Sequence, residues 1–473
     1  MFEEHGGFDL VVGNPPWGAD LAGIREHLDA GAFALARGQY DSYELFVELG
    51  RRLLREGGVF GFIIPDSITL PEHERLRRML LDHTTLTRLV RAGEGIFPSV
   101  FRAAFFLCFA NQPPPPEQRV RVATLRKDDR RLLEQDTLLQ PSKTIAEVVR
   151  ASGHDVEQSR FRANPRYEVD ILARETDTPI VARIDEHRID WTSLTEKGRG
   201  VEIGKAGEVL QCPYCYRWDN IPRKVKGAWR PKVCRHCARR FSFEKAAGHE
   251  VIIAEKPRGK HWKPIIAGEV VNRYCLGNAK YIDTTKDGIN YKPAEFYEGK
   301  RLLLRQTGVG IYATIDESRR LTNQSVFAWK MRKDLQAEWR CYRLEYVLGV
   351  LNSRTMLYRY YMKSGDTEWR SFPRWTQELV QELPVRAIDF SRQDEARLHD
   401  EIADRVAAVL ATGKPPSTHD DYQIEIVVMQ LYGITRPMCR RIFEVLHQVQ
   451  RLRVIRETSI AEPDMLLDAL PES

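Results

Sequence analysis

Over its first hundred residues the chain alternates between apolar runs and helical spacing. Phe8-Asp9-Leu10-Val11-Val12 is a short apolar run closed by Gly13, which predicts a strand. From about Asp41 the apolar residues Tyr43, Phe46, Leu49 and Leu53 recur at intervals of three and four, which predicts a helix that buries this stripe. Asp41 and Glu44 have the spacing of a capping box, and Gly57-Gly58 is the expected stop. Val59 to Ile64 is almost wholly apolar, as in a strand buried on both faces. Pro71 opens a second predicted helix carrying Leu76, Met79 and Leu80, and strands are expected at 86–90 and 103–110. The order β-α-β-α-β-β predicts an α/β domain whose last two strands can pair antiparallel.

The prolines at 113 to 116 form a stiff boundary. Beyond them lies a mixed region with a possible strand at 119–125. From about 195 the pattern turns strand-rich, with Gly and Asn turns and one long predicted helix near 342–361. The tail reads as helices, with Ile424, Val427, Val428 and Leu431 at helical spacing.

Composition narrows the class only mildly. Among 473 residues, 72 basic and 66 acidic side chains leave a net charge of +6, too small an excess to imply a nucleic-acid partner by itself. No signal peptide and no apolar run of about 18 residues is visible, so a bacterial or archaeal cytoplasm is the expected location. In that setting two tight cysteine pairs point to metal rather than to disulfides.

The chemistry begins where the first strand ends, at Asn14-Pro15-Pro16-Trp17. Ligands of open α/β sheets bind at the carboxyl ends of strands. An adenine amino group is a poor nucleophile, because its lone pair is delocalised into the ring. Two acceptors, the Asn14 side-chain oxygen and the Pro15 carbonyl, would favour a pyramidal nitrogen. The paired prolines, Pro15 and Pro16, fix the backbone without adding a competing N–H, and Trp17 offers a face for an extruded base.

The run Phe8-Asp9-Leu10-Val11-Val12-Gly13-Asn14-Pro15-Pro16-Trp17, followed by Tyr40-Asp41-Ser42-Tyr43-Glu44-Leu45-Phe46 and by the segment from Leu53 to Pro65, resembles the TaqI-like adenine-N6 methyltransferases and the related type IIG restriction–modification enzymes. The resemblance implies that Asn14 and Pro15 hold the target amino group, that Trp17 stacks on the base, and that Phe97 is a second aromatic against it. It implies S-adenosylmethionine as methyl donor and double-stranded DNA as partner. The family's glycine-rich cofactor motif lies upstream of the catalytic loop, where only seven residues precede the first strand here. No Gly-x-Gly motif following a strand replaces it, so the cofactor-binding residues are unassigned. A strand that is normally central would become an edge with an uncovered apolar flank. The expectation is a partial Rossmann-like domain that needs a second polypeptide, or a missing N-terminal half, to bind the cofactor.

Cys212-Pro213-Tyr214-Cys215 and Cys234-Arg235-His236-Cys237 are two Cys-x-x-Cys knuckles 18 residues apart, a spacing suited to a structural Zn²⁺ held by four thiolates, with His236 a bystander. Basic residues with interleaved aromatics fill this segment, and Arg223, Lys224, Lys226 and Arg230 are expected DNA contacts. Lys263 to Tyr274, Leu303 to Gly308, Leu321 to Ser325 and Gly349 to Ser353 resemble blocks of the TaqI-like specificity domain. Within them Arg273, Arg305 and Gln306 have side chains suited to base edges or phosphates, whereas Asn352 suits a framework role.

The expected organisation is therefore a partial methyltransferase catalytic domain at 1–112 and a connecting region at 113–194. A mainly β/α+β target-recognition domain at 195–390 follows, with the zinc ribbon at 210–243, and then a helical region at 391–473. Asn-Pro-Pro-aromatic loops also serve enzymes that methylate glutamine side chains or RNA guanines, but a long recognition region favours DNA. A non-catalytic, DNA-binding specificity subunit is the alternative from a different class.

Overall fold

The computed structural model describes residues 6–24, 26, 28–97, 102–126, 144–203, 206–222, 224–225, 228–364, 374–456 and 462–473. They divide into two compact units, one formed mainly by the first 181 residues and one mainly by those from 182 on.

The first unit is a six-stranded mixed sheet in the order β1-β2-β4-β3-β5-β6, comprising Phe8–Gly13, Leu54–Pro65, Ala104–Ala110, Thr85–Gly93, Arg119–Thr124 and His154–Glu157 respectively. β1 and β2 are parallel, with Leu10 opposite Val59 and Val12 opposite Gly61. The 86–90 and 103–110 strands pair antiparallel as expected, with β4 inserted between β2 and β3. The sheet also runs on past the prolines, because β5 lies parallel to β3 and β6 antiparallel to β5.

One face of the sheet carries Phe60, Phe62, Ile64, Leu89, Leu107 and Val122, packed with Leu76 and Leu80 of helix α2 (Glu74–His83) and Tyr43 and Val47 of helix α1 (Ser42–Leu53). Gly50 of α1 lies so close to the sheet that a Cβ there would meet the Phe60 ring at 2.5 Å. The other face is covered at its β3/β5 side by helix α3 (Ile145–Ser152), through Val148 and Val149. At the β1/β2 side no element among the described residues covers it. Phe8, Leu10 and Val12 are 46%, 57% and 66% exposed, and Val59 is exposed beside them.

Three expectations change here. The α1 stripe is not uniformly buried, since Phe46 and Leu49 are exposed while Tyr43 and Val47 pack inward. This helix is apolar on two sides, and only one of them has a neighbour. Gly57-Gly58 does not stop the helix, because β2 starts at Leu54 and runs through both glycines. Finally, Gly93-Glu94-Gly95 does follow β3, and Gly308-Val309-Gly310 follows a strand of the second unit. Each leads on to an antiparallel strand rather than into a helix, so neither offers a helix N-terminus to a cofactor phosphate or carboxylate.

The second unit is strand-rich, as expected. Strands β7 (Thr195–Arg199), β8 (Arg301–Arg305), β9 (Ala313–Asp316) and β10 (Val326–Met331) form one antiparallel sheet. The long helix expected near 342–361 is two helices, α4 (Leu344–Leu351) and α5 (Arg354–Ser364). The break has a cause. The Asn352 amide donates to the Ala313 carbonyl at 3.0 Å and accepts from its N–H at 3.2 Å, pairing like one more strand residue. The Ser353 hydroxyl then accepts from the Met356 N–H at 3.1 Å and starts the next helix. The tail is helical, with α6 (Gln393–Thr412), α7 (Thr418–Leu431) and α8 (Arg436–His447), and Ile424, Val427, Val428 and Leu431 are buried. No helix among the described residues is long and apolar enough to cross a membrane.

Candidate active site and metal centre

The Asn14-Pro15-Pro16-Trp17 loop leaves the carboxyl end of β1, beside the carboxyl end of its parallel neighbour β2. Pro15 is buried, whereas Asn14 is exposed and its side chain makes no hydrogen bond to the described residues. An amide without an internal partner at a strand end is free to accept from a ligand. Trp17 is half-buried. Its Nε1 reaches the Ile63 carbonyl at 3.4 Å, and its ring meets Phe97 edge-on, with centroids 6.1 Å apart at 74°. The structure therefore brings together all five residues expected to handle the base.

Sequence reasoning missed the support of this loop. The Ser42 hydroxyl donates to the Pro16 carbonyl at 2.7 Å and accepts from the Ala19 N–H at 3.1 Å. Asp41 Oδ1 accepts from the Gly18 N–H at 2.6 Å, where Gly18 turns with a positive φ. Asp41 Oδ2 takes the Arg102 guanidinium at 3.0 Å. Burial pulls the Asp41 carboxyl up, but the Gly18 N–H and Arg102 outweigh it and hold it below the ordinary value. The expected capping contact is present in part, with Glu44 accepting from the Asp41 N–H at 2.7 Å. The same Glu44 oxygen meets Nδ1 of the buried His73 at 2.8 Å. The only trace of this clamp in the sequence is that Asp41-Ser42 opens the helix. Beside it an open cleft of about 560 Å³ is lined by Gly18 to Leu21, Gln39 to Ser42, Ser67, His73 and Arg102.

The four cysteines of the knuckles converge in the second unit. Their sulfurs all lie within 4.8 Å of one another, with Cys212–Cys237 at 3.7 Å and Cys215–Cys234 at 3.6 Å. Four thiolates about 2.3 Å from one tetrahedral ion would stand roughly 3.8 Å apart, so this donor set fits zinc. The knuckles share one backbone plan. Tyr216 N–H donates to the Cys212 carbonyl and Ala238 N–H to the Cys234 carbonyl, each at 3.0 Å, and Tyr216 and Ala238 both sit at φ 57°. Burial raises the Cys234 thiol, yet the backbone N–H groups of Cys237 and His236 draw it down to about 7. His236 turns Nε2 to the Trp218 carbonyl at 3.3 Å, away from the ligand set.

The expected DNA contacts separate. Arg223 and Lys226 lie outside the described residues. Lys224 falls in the short strand Lys224–Val225, and Arg230 is exposed. Arg273 is corrected to a framework residue. It is buried, with Nη2 paired with Asp421 at 2.8 Å and bonded to the Asn352 carbonyl at 3.1 Å, which commits it to the framework. Gln306 is likewise buried, with its amide facing the Arg374 guanidinium. Arg305 is half-buried, its guanidinium over the Tyr312 ring at 5.6 Å.

Residues 1–97 match the family described as Eco57I restriction-modification methylase, and residues 263–385 match the TaqI-like C-terminal specificity domain. A Methanocaldococcus jannaschii protein named for a type II restriction enzyme and methyltransferase is 21% identical over 391 residues, 80% of this chain and 27% of that protein. A type II methyltransferase of Thermus thermophilus is 31% identical over 118 residues, 23% of this chain and 27% of its own length. The chain thus spans about a quarter of the length of these relatives. Among solved structures, the type IIL restriction-modification enzyme MmeI in complex with DNA shares the fold, at a TM-score of 0.50 and 11% identity, over 93% of this chain and 57% of that one.

Proposed function

From a chain that joins a segment of the Eco57I restriction-modification methylase family to a TaqI-like C-terminal specificity domain, we propose site-specific methylation of DNA adenine at N6 within a restriction–modification or anti-phage system. The observation that carries this reading is the exposed, unpaired Asn14 amide at the end of β1, next to the fixed Pro15 carbonyl and the Trp17–Phe97 pair. An extruded adenine would stack on these aromatics. Asn14 Oδ1 and the Pro15 carbonyl would each accept one of its amino N–H groups and turn the lone pair outward. S-adenosylmethionine supplies the methyl group when bound.

The described residues contain no glycine-rich turn opening a helix at which to hold that cofactor. The open flank of Phe8, Leu10, Val12 and Val59 is where a further α/β segment, from a second polypeptide or a longer chain, would complete the sheet. The ribbon holds a structural Zn²⁺ through Cys212, Cys215, Cys234 and Cys237, and the second unit selects the DNA site.

Methyl transfer from labelled S-adenosylmethionine to DNA tests the reading, measured with this chain alone and with the product of the adjacent upstream gene. Activity with the upstream product that is abolished by Asn14→Ala, while DNA binding persists, is the expected result. If both mixtures are inactive and Asn14→Ala changes nothing, a DNA-binding specificity subunit becomes the better description.

A further inference from the structure

We propose that the tip of the four-cysteine ribbon is a DNA contact, with Arg239 and Arg240 on the phosphate backbone and Tyr216 against an exposed sugar or base face. The inference rests on the DNA-partner reading above and extends it to residues outside the first set of expected contacts. The knuckles share a backbone plan, but their side chains are used differently. In the second knuckle Arg235 is locked to the buried Asp219 at 2.6 Å, and Lys232 is held by the same carboxylate at 3.1 Å and by Asn220 at 2.7 Å. Arg217 of the first knuckle pairs with Asp287 at 3.3 Å. Arg235 and Lys232 are thus neutralised by a buried carboxylate, and Arg217 has a carboxylate partner at the surface.

Arg239 and Arg240 are exposed and have no carboxylate partner among the described residues. The Arg239 guanidinium lies over the Tyr214 ring at 5.2 Å, which fixes its plane and leaves its N–H fork open to an anion. Arg240 stands opposite Val233 in a two-stranded ribbon, and Val233 is 55% exposed. The neighbouring pair, Lys232 and Phe241, points the other way, where Phe241 packs on Cys212 and Cys234. Tyr216 is 66% exposed and sits at φ 57°, a backbone position where glycine or asparagine would cost less. A bulky ring that is strained in the backbone and buries little contributes nothing evident to the fold. It does suit stacking or wedging against a nucleotide.

The test uses the full-length, zinc-loaded chain, a short labelled duplex and a salt titration. For Arg239→Ala/Arg240→Ala, affinity should fall about tenfold on both specific and unrelated duplexes, and the slope of log affinity against log salt should flatten by about two. Bound zinc should stay unchanged, and Arg217→Ala should leave the slope as in the wild type. Tyr216→Gly, which relieves the backbone, should weaken binding several-fold without loss of zinc. An unchanged slope in the double variant, with DNA still bound, overturns the tip assignment and leaves the DNA reading standing. If the wild-type chain binds no duplex at all, both fail together.

Discussion

Two regions of this protein invert the usual order of inside and outside. At the β1 flank of the first unit Phe8, Leu10 and Val12 face solvent. In the second unit Arg354 is fully buried, bonded to Asp421 at 2.9 Å and Glu425 at 3.0 Å, with Arg273 on the other side of Asp421. The buried charges are complete as a set, since each carboxylate meets a guanidinium in a position it cannot leave. The exposed apolar strand is complete only in its backbone pairing to β2. Burial of a residue therefore reports what its neighbours among the described residues provide, and this differs between the apolar strand and the ion network.

The largest expected effect lies in the buried network. Arg354→Ala would leave Asp421 and Glu425 without their shared cation, and breaking such a set by removing one member costs about 3–5 kcal/mol. Denaturant unfolding should register that loss, and a loss below about 1 kcal/mol would show that the network is not what holds α7 in place. Acid sharpens the same point. Burial raises the Asp421 carboxyl, but Arg273 and Arg354 overcome it and hold it well below the ordinary value. Its contribution is thus fully present above about pH 4 and lost only as pH falls below that. Glu425 is pushed up by burial, ahead of the pull of Arg354. It works in the opposite sense, weakening the fold as pH rises through its titration, and does not add to the acid loss.

Ser42→Ala probes the region beside the open flank at a smaller scale. It removes two hydrogen bonds from the loop that follows β1, a loss of about 1 kcal/mol in stability. Its larger consequence should be on rate. In whichever assembly transfers methyl groups, turnover should fall about tenfold while DNA affinity holds, because the hydroxyl positions Pro16 and Ala19 rather than touching substrate. Equal loss of turnover and of DNA affinity would mark Ser42 as merely structural.

What could be read from the sequence follows the same division. The strand and helix order of the first unit, the antiparallel last pair, the loop at the end of β1 and the convergence of four cysteines are all local patterns, written in periodicity and spacing. The Asp41–Ser42 clamp was invisible because its partners, Gly18, Ala19 and Arg102, lie 23 to 61 residues away in the chain. Arg273 and Gln306 were misjudged for the same reason. Their side-chain types suit DNA, and only the fold shows that Asp421 and Arg374 already occupy them. The outward stripe of α1 looks like core in the sequence because periodicity identifies an apolar face without saying whether anything covers it.

The smallest expected effect on the isolated chain is the most telling about the flank. Leu10→Lys places a charge on an already exposed position of an edge strand, so its stability should change by no more than about 0.5 kcal/mol. Solubility should improve, since a lysine on an unpaired edge discourages further strand pairing. In an assembly that completes the sheet the same residue would be buried against the added segment, and the substitution should block association and methyl transfer together. Light scattering of the isolated chain and reconstitution with the upstream product separate the two cases. If Leu10→Lys reconstitutes as well as the wild type, the flank is a tolerated exposure and the sheet is not completed there.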